Sequence, residues 1–418
     1  MEQAGKERNL RVLAASQFMS GLANGLTQAV WQPFVLSLGA PMATLGLLES
    51  IGGVPGIVNS LIQPVGGWLS DRRGRKPFVV LGSLAGLLAI GLYVVAALTR
   101  DWRWLLAGIV LLGLSLIGRP AADSLVAESS MASRRAIAFS VLTFAFVVPG
   151  VFAPALGGYI ADRWDFMPVL AIRLGLEALR LALLVWLLRE TLGPAKGAVS
   201  RRELGGLMAS IFWPPRQLRG FFWAMALDVF AWGMGGIILF GLLSKDRGFT
   251  TVQLGLMASM FYAVWAATQM PLGRLMDRFG CKRFLAISQA MGILLMVGWL
   301  FASSFWAFVA LQAVFGLTSS LWVPAQQAIF TRSVPAEQRG EAIGRLAAFR
   351  GLISFPAPFI GGLLYDNFGF SAPILANLVG CVIALLAIIV LVKEPRALEP
   401  SPSTRGSRSE ALAARPKS

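Results

Sequence analysis

The chain has 418 residues, 56% of them hydrophobic and only 14% charged, and this composition excludes an ordinary water-soluble globular protein. The formal net charge of +16 would fit a nucleic-acid-binding protein, but no basic stripe alternates with exposed aromatic residues, so we expect no nucleic-acid partner. Because the chain contains no histidine and shows no cluster of metal ligands and no cofactor motif, we also expect no hydrolytic triad, no metal and no cofactor.

Twelve apolar stretches follow one another along the chain, and each is long enough to cross the hydrocarbon core of a bilayer, which needs about 20 helical residues. The stretches lack the period-two alternation of strands, so we predict an all-α membrane protein. The predicted spans are residues 10–38, 43–69, 77–99, 102–126, 136–161, 168–189, 219–243, 252–276, 283–303, 305–330, 341–364 and 371–392.

The two halves of the chain repeat each other. At four places where an apolar stretch ends, a glycine is followed four residues later by an aspartate, and the halves align at a shift of 204 to 206 residues. The four pairs are Gly67/Asp71, Gly158/Asp162, Gly273/Asp277 and Gly362/Asp366. The first and third pairs lie in basic clusters, and the second and fourth lie in turns with few charges. Such repetition in a very apolar chain indicates a transporter whose halves move about a central site.

The repeat divides the chain into five segments. We expect a cytoplasmic N-terminus (1–9), two bundles of six helices (10–189 and 219–392), a cytoplasmic linker between them (190–218), and a disordered cytoplasmic tail (393–418). Connections after even-numbered spans carry eighteen Lys and Arg residues, and those after odd-numbered spans carry five. The positive-inside rule therefore predicts a multi-pass protein of the cell membrane with both termini in the cytoplasm.

The connection between spans two and three carries a resemblance to a known family. Its residues Gly67-x-Leu69-x-Asp71-Arg72-x-Gly74-Arg75-Lys76 resemble the signature loop of the major facilitator superfamily. A weaker copy, Gly273-x-Leu275-x-Asp277-Arg278-x-Gly280, lies between spans eight and nine, where that family repeats it. The resemblance covers residues 10 to 392. It implies two pseudo-symmetric six-helix bundles with a solute cavity between them, opened alternately to either side of the membrane.

The signature loop is a candidate gate. Gly67 allows two helices to pack closely, and Asp71 can accept hydrogen bonds from the N-terminus of a nearby helix, whose partial positive charge it complements. The arginines could instead serve only to orient the protein in the membrane. The candidate gating residues are Gly67, Asp71, Arg72, Gly74, Arg75, Asp123, Gly273, Asp277 and Arg278.

Asp123, in the last turns of span four, completes this candidate gate. In similar transporters an acidic residue there pairs with an arginine of the signature loop, which makes Arg72 or Arg75 the expected partner. Arg119, four residues earlier on the same helix, is the local alternative. The matching positions in the second half are Val323 and Gln327, so we expect no equivalent pair there.

Spans five and eleven share a Pro-x-x-Gly-Gly pattern. Its residues are Pro154, Gly157, Gly158, Pro358, Gly361 and Gly362. The pattern resembles the core of a motif associated with antiporters in the superfamily, although alanine stands where a glycine usually precedes the proline. The same residues also permit a helix kink and close packing, whatever the direction of transport.

Charged residues inside spans cost roughly 2.5–3.5 kcal/mol each and therefore mark functional candidates. Asp228 of span seven is the strongest candidate for proton coupling, because a chain without histidine must use a carboxylate for that purpose. A structural pairing with Arg345 or another basic residue is the alternative. Arg173, Glu177 and Arg180 share one face of span six, and we expect them to neutralise one another.

Neutral and aromatic side chains complete the candidate solute site. Amides suit hydrogen bonding to a solute, and tryptophan can stack on an aromatic or cationic one, although it also anchors helices at the membrane interface. The expected cavity residues are Asn24, Gln28 and Gln32 of span one, Arg119 of span four, Trp232 of span seven, and Gln326 and Gln327 of span ten.

Three classes of function compete at this point. The first, which we favour, is proton-coupled efflux of small amphipathic or drug-like compounds, supported by the aromatic-rich spans, Asp228 and the partial antiporter motif. It implies a small-molecule substrate, protons and the lipid bilayer as partners, and a monomer. The second is uptake or facilitated transport of a polar metabolite, such as a sugar or an organic anion, for which Arg119 is the best-placed cation. The third is a non-transporting receptor or an intramembrane enzyme, which no sequence pattern supports.

Overall fold

The computed structural model of the chain describes residues 2–53, 56–131, 134–191, 214, 216–334 and 339–392. Within these ranges the chain forms helices joined by short turns, and no strand occurs among them. Long apolar helices satisfy all their backbone hydrogen bonds internally, which is the requirement for crossing a bilayer. The predicted linker lies mostly, and the predicted tail wholly, outside the described residues.

Six spans form the first bundle. Span 1 consists of Glu2–Gln28 and Trp31–Ser37, and span 2 of Met42–Gly52 and Ile57–Arg73. Span 3 is Lys76–Thr99, and span 4 is Arg103–Ser115 and Arg119–Ser129, joined by the short 3-10 helix Leu116–Gly118. Span 5 is Arg135–Trp164 and span 6 is Phe166–Leu187.

Six further spans form the second bundle. Span 7 consists of Arg219–Gly235 and Leu239–Arg247, and it is preceded by the 3-10 turn Arg216–Leu218. Span 8 is Thr251–Phe279, span 9 is Cys281–Phe301 and span 10 is Phe305–Arg332. Span 11 consists of Arg339–Ser354 and Ala357–Phe368, and span 12 is Ser371–Leu391. Each predicted span therefore has a helical counterpart.

Among the described residues, nine helical stretches are long and apolar enough to cross a membrane. Spans 1, 6 and 8 complete the set of twelve, since their main helices have 27, 22 and 29 residues, each longer than the roughly 20 that a bilayer requires. Span 6 is less apolar because it carries Arg173, Glu177 and Arg180. The chain is thus a multi-pass membrane protein.

The first predicted segment, residues 1–9, is continuous with span 1, whose helix begins at Glu2. Two side chains of this segment hydrogen-bond the backbone at the end of span 6. Arg8 donates from Nε to the Leu187 carbonyl at 3.0 Å, and Asn9 exchanges hydrogen bonds of 3.0 and 2.9 Å with the backbone of Arg189.

The two ends of the spans differ. We call the end that carries Arg73, Lys76, Lys282 and Arg332 the basic face, and the other end the opposite face. Near the opposite face, one apolar core includes residues of both bundles, such as Leu45 of span 2 and Leu242 of span 7. Near the basic face, each bundle has a separate core. The bundles are therefore joined at the opposite face and apart at the basic face.

Two glycines shape the turns of the basic face. Gly74 and Gly280 follow spans 2 and 8 with φ angles of 102° and 90°. Side chains with a Cβ rarely adopt such angles, so these turns favour glycine. The signature loop and its weaker copy thus share one backbone requirement, which explains Gly74 without reference to membrane topology.

Candidate functional site

A cavity of about 960 Å³ lies between the two bundles. Spans 2 and 4 form one wall, with lining residues between positions 59 and 71 and between 119 and 124. Spans 7, 9, 10 and 11 form the other wall. Since Asp71 and Arg345, near the basic ends of their spans, belong to the lining, the cavity extends to the basic face.

Irregular backbone occurs where spans border this cavity. Span 7 is interrupted at residues 236–238, and Gly236 and Ile237 belong to the lining. Span 4 passes through a 3-10 turn just before Arg119 and Pro120, which also line it. Irregular backbone within a membrane is tolerated where it borders a cavity or is covered by protein, so these interruptions are characteristic of a transport pathway.

Among the described residues, the charged side chains of the cavity wall are balanced. The acidic ones are Asp71, Asp123 and Asp228, and the basic ones are Arg119, Arg345 and Arg350. The wall therefore carries no net formal charge but presents fixed charges of both signs. A solute that enters meets local electrostatic partners rather than a uniform field.

Asp228 lies in the wall and is only 3% exposed. Its charged neighbour is Arg350 of span 11, and the side chain of Gln289 is its other polar neighbour. Within the described structure Oδ1 has no hydrogen-bond partner. Arg350 thus interacts with Asp228, which falls within the alternative of a pairing with Arg345 or another basic residue, and Oδ1 keeps capacity for another partner.

An aromatic surface adjoins Asp228. Trp232, four residues further along span 7, stacks on Phe315 with ring centroids 4.9 Å apart and planes 16° apart, and Trp299 meets its edge at 6.0 Å. Trp232, Phe315 and Trp322 all line the cavity. A buried acid beside flat aromatic rings suits a solute that has both a polar group and an apolar body.

The signature loop is held within the first bundle. Arg75 is 8% exposed and contacts Asp71, and it hydrogen-bonds Glu128 from Nε and Nη2 at 3.3 and 3.2 Å. The Glu190 carboxylate accepts the backbone N–H groups of Arg75 and Lys76 at 3.0 and 2.9 Å. The sequence singled out neither glutamate.

Among the described contacts of this conformation, Asp123 does not pair with Arg72 or Arg75. Arg119, the local alternative, is the charged neighbour of Asp123, and Arg72 lies over the ring of Trp68 at 4.3 Å. The reason is the helical register, because Glu128 lies more than a turn closer to the basic end of span 4 and takes Arg75. The side chains of Asp277 and Arg278, and Gly273, lie outside the described set.

The opposite face is closed by an aspartate of span 5. The N–H groups of Thr251 and Val252, at the start of span 8, donate to Asp162 Oδ1 and Oδ2 at 2.9 and 3.0 Å, and the Thr251 hydroxyl contacts the same carboxylate. The first N–H groups of a helix have no partner within the helix and carry partial positive charge. Asp162 therefore caps a helix of the other bundle.

Asp366 of span 11 makes the same contact with span 2. Its Oδ1 and Oδ2 accept the N–H groups of Met42 and Ala43, at the start of that span, at 3.3 and 2.8 Å. The aspartates of the second and fourth Gly-x-x-x-Asp pairs, which the sequence placed in turns with few charges, thus both bridge the bundles. We call these two contacts the opposite-face caps.

The glycines of the repeat bring the capped helices close. A Cβ on Gly158 would collide with the carbonyl of Thr251, and a Cβ on Gly362 with the carbonyl of Met42. Two further hydrogen bonds between the bundles, nearer the membrane centre, are related by the same twofold repeat. Ser259 Oγ accepts the Ala155 N–H at 3.3 Å, and Ser50 Oγ accepts the Phe359 N–H at 3.2 Å.

The remaining Pro-x-x-Gly-Gly residues also lie at helix contacts. A Cβ on Gly157 would meet the backbone of Leu26, and one on Gly361 the backbone of Met234. Pro154 stands within the unbroken helix of span 5, whereas Pro358 follows the interruption of span 11. These glycines serve close packing, and the proposed role of the prolines in helix kinking stays a prediction.

The residues expected at the cavity divide into two groups. Arg119 and Trp232 line it. Gln32 instead crosses to span 7 at the closed end, donating from Nε2 to the Ile237 carbonyl at 2.5 Å and accepting the Gly241 N–H at 2.6 Å. Asn24 accepts a hydrogen bond of 3.1 Å from Arg173 inside the first bundle.

The other amides expected at the cavity also lie outside its wall in this conformation. Gln28 lies beside the phenol group of Tyr262 of span 8. Gln326 is half-buried and Gln327 is exposed, near the basic end of span 10. The sequence did not show the angular position of these side chains on their helices, which decides what each side chain faces.

Two bundles of six spans around a cavity that reaches only one face define a membrane transporter. The family model of the Major Facilitator Superfamily matches residues 13–244 and 221–416. The multidrug resistance protein MdtG of Enterobacter lignolyticus (strain SCF1) is 24% identical over 379 residues, which cover 89% of each chain. MdtG of Serratia proteamaculans (strain 568) is 25% identical over 393 residues, which cover 91% of this chain and 92% of that protein.

A solved structure shows the same fold. The bacterial homologue of the human lysosomal transporter Spinster, in an inward-facing and unoccupied conformation, superposes with a TM-score of 0.72 at 17% identity, covering 94% of this chain and 98% of that one. The chain belongs to the major facilitator superfamily. The resemblance of the signature loop is thus confirmed, and family membership makes the protein a transporter rather than an enzyme.

Proposed function

We propose that the protein exports small amphipathic or drug-like compounds from the cell in exchange for protons, by alternating access. The observation that carries this proposal is the juxtaposition of Asp228 with the aromatic surface of Trp232 and Phe315 inside the cavity. The name of the MdtG relatives, multidrug resistance protein, supports the same class of substrate.

The basic face is the cytoplasmic face in this proposal. Eighteen basic residues in the connections on that side against five on the other support this orientation. The structure then represents the state that is open to the cytoplasm, in which a solute can enter the cavity. Each chain contains both bundles and a complete cavity, which supports function as a monomer in the cell membrane.

Asp228 is the coupling site in this proposal. Ionised, it interacts with Arg350 and can attract the polar group of a solute, whose apolar body contacts Trp232. When the cavity opens to the outside, a proton neutralises the carboxylate, and the solute loses that interaction. Proton and solute thus alternate at one carboxylate, as an exchanger requires.

In this proposal the basic face closes by the same interaction as the opposite face, an aspartate that caps the N-terminus of a helix in the other bundle. Asp71 and Asp277 end spans 2 and 8, the partners of spans 11 and 5 in the opposite-face caps. Because these helix pairs are antiparallel, the other end of each pair offers the N-terminus of spans 11 and 5, which begin at Arg339 and Arg135. We propose that Asp71 and Asp277 cap those ends in the outward-open state.

The test is transport in proteoliposomes with an imposed pH gradient, using a panel of labelled amphipathic solutes and dyes. We expect gradient-driven transport by the unmodified protein, and its loss in Asp228→Asn, with expression and equilibrium exchange retained. Asp101→Asn is the matched control, because Asp101 lies in the turn before span 4 and its carboxylate accepts the N–H of the nearby Arg103 at 2.9 Å, outside the cavity wall. Concentration of solute by Asp228→Asn at the unmodified rate would refute coupling at Asp228.

Transport of an organic anion is the second candidate. It is favoured by Arg345 and Arg350, which join Arg119 in the cavity wall and supply more than the one central cation that the sequence indicated. The same panel decides between the two, because an anion carrier would transport carboxylates or sulfonates without a gradient and would lose this activity in Arg350→Gln.

A further inference from the structure

Glu49 is a carboxylate within span 2 that has no part in the proposed function above. It lies two turns after Met42, the residue with which span 2 begins at the opposite face. It is outside the cavity wall and half-buried. Its Oε1 accepts a hydrogen bond from Trp31 Nε1 at 2.9 Å, and the Gln32 amide is its other polar neighbour. Within the described structure no lysine or arginine forms an ion pair with it.

The partners of Glu49 belong to the closed end of the protein. Trp31 and Gln32 are successive residues of span 1, and Gln32 holds the Ile237 carbonyl, within the interruption of span 7, and the Gly241 N–H just after it. Ser50, the residue after Glu49, accepts the backbone N–H of span 11 described above. Two contacts that join the bundles therefore lie next to the Glu49–Trp31 pair, one at Ser50 and one at Gln32.

An unpaired carboxylate in a membrane span is far less costly as the neutral acid than as the anion. Opening of the opposite face separates span 1 from span 7 and admits water to the same turn, which solvates the anion. We propose that Glu49 is a second proton-binding site, separate from Asp228, which holds its proton while the opposite face is closed and releases it when that face opens. This inference rests on alternating access, but not on coupling at Asp228.

Several other ionisable groups face this turn. Tyr93 of span 3 stacks on Trp31 with centroids 4.8 Å apart and lies near Glu49 and Arg173 of span 6. The remaining ionisable groups on elements packed against Met42–Gly52 are Arg103, Asp71, Arg72, Arg73, Tyr365 and Asp366. Asp366 is the one acid in this set that lies near the opposite face, and it is already engaged by two backbone N–H groups.

Proton binding at Glu49 makes the ratio of closed to open molecules depend on pH. If the closed state binds one proton that the open state does not, the ratio of closed to open molecules falls up to tenfold for each unit rise in pH. The ratio should stop falling with pH when the side chain cannot ionise. Glutamine at position 49 keeps the shape and an acceptor oxygen for Trp31, so it mimics the protonated acid.

Spin-label distance measurements in lipid nanodiscs test this consequence. Labels at Thr99→Cys and Ser303→Cys, exposed at the opposite face in different bundles, report its closure once Cys281 and Cys381 are replaced by serine. The measurement uses the Asp228→Asn background, between pH 5.5 and 8.5. We expect the closed fraction to fall with pH in this parent, and to be high and independent of pH after Glu49→Gln.

Two further variants sharpen the result. Glu7→Gln changes an exposed glutamate of span 1 that pairs with Arg11 at 3.7 Å, and should leave the pH dependence unchanged. Trp31→Phe keeps an aromatic ring, although a smaller one, but removes the N–H donor, and should move the midpoint of the transition even if Glu49→Gln does not fold. Equal pH dependence with and without Glu49, or none in the parent, would overturn the proposal. Absence of gradient-driven transport in the unmodified protein would refute the proposed coupling alone.

Discussion

Removal of the Asp162 carboxylate should open the opposite face. Asp162→Ala deprives two N–H groups and one hydroxyl of span 8 of a charged acceptor in the other bundle. A hydrogen bond to a charged group contributes about 1.5–3 kcal/mol when buried, but Asp162 is exposed, and the freed N–H groups can bind water. We therefore estimate a loss of about 1–2 kcal/mol for the whole cap, including the helix dipole.

This energy belongs only to the closed state, because the partners separate when the face opens. A loss of about 1–2 kcal/mol lowers the ratio of closed to open molecules by roughly 5- to 30-fold. Asp366→Ala should act similarly at the other cap. Since the two caps share no residues, the effects of the two substitutions should add.

The Thr99→Cys and Ser303→Cys label pair measures this ratio at constant pH. Asp165→Ala is the matched control, because Asp165 lies on the same face and caps the start of its own helix, accepting the Phe166 N–H at 2.7 Å. It should leave the ratio unchanged. An equal shift in the Asp165 and Asp162 variants, or no shift in the latter, would refute the assignment of Asp162 to a cap between bundles.

Three further predictions concern close packing, the basic face and the interior of the first bundle. Gly158→Ala should reduce closure in the same label assay, because a Cβ there collides with the backbone of span 8, whereas Gly175→Ala, which meets open space, should not. Asp71→Asn should raise the inward-open population, seen as faster cysteine labelling of cavity positions from the basic side, and unchanged labelling would exclude a gating role. Arg180→Leu should lower the free energy of unfolding by about 3–5 kcal/mol, because it leaves Glu177 buried without the partner of its ion pair at 2.9 Å. Thermal unfolding in detergent checks this, and a loss below 1 kcal/mol would contradict it.

Much of the fold was predictable because a bilayer imposes long, internally hydrogen-bonded helices. The twelve spans, the two halves and the family followed from apolar length, repetition and the signature loop. The interruption of span 7 was not predictable, since residues 236–238 are part of an apolar run that reads as one helix. The Ile237 carbonyl in this interruption accepts a hydrogen bond from Gln32, 205 residues away, and no local pattern records that contact.

The site was predictable in its parts but not in its pairings. Asp228 was recognised because a charge within a span is costly, and Glu49 carries the same signal in Leu47-Leu48-Glu49-Ser50-Ile51. The Gly-x-x-x-Asp repeat was visible, yet the helix that Asp162 caps lies 89 residues further along the chain. The partner of Arg75 depended on which turn of span 4 lies beside it. The sequence suggested Asp123, and the observed partner Glu128 lies more than a turn further along the helix.

The opposite-face caps also determine how tightly the protein takes up solute. A carrier that rests with one face closed presents its cavity to the other side for most of the time, and the apparent dissociation constant equals the intrinsic one divided by the fraction of accessible molecules. Substitution of Asp162 or Asp366 would therefore weaken uptake from the basic side, although neither residue touches the solute. Affinity can thus be adjusted at the protein surface without any change in the cavity, and selection can tune the range of working concentrations separately from the choice of substrate.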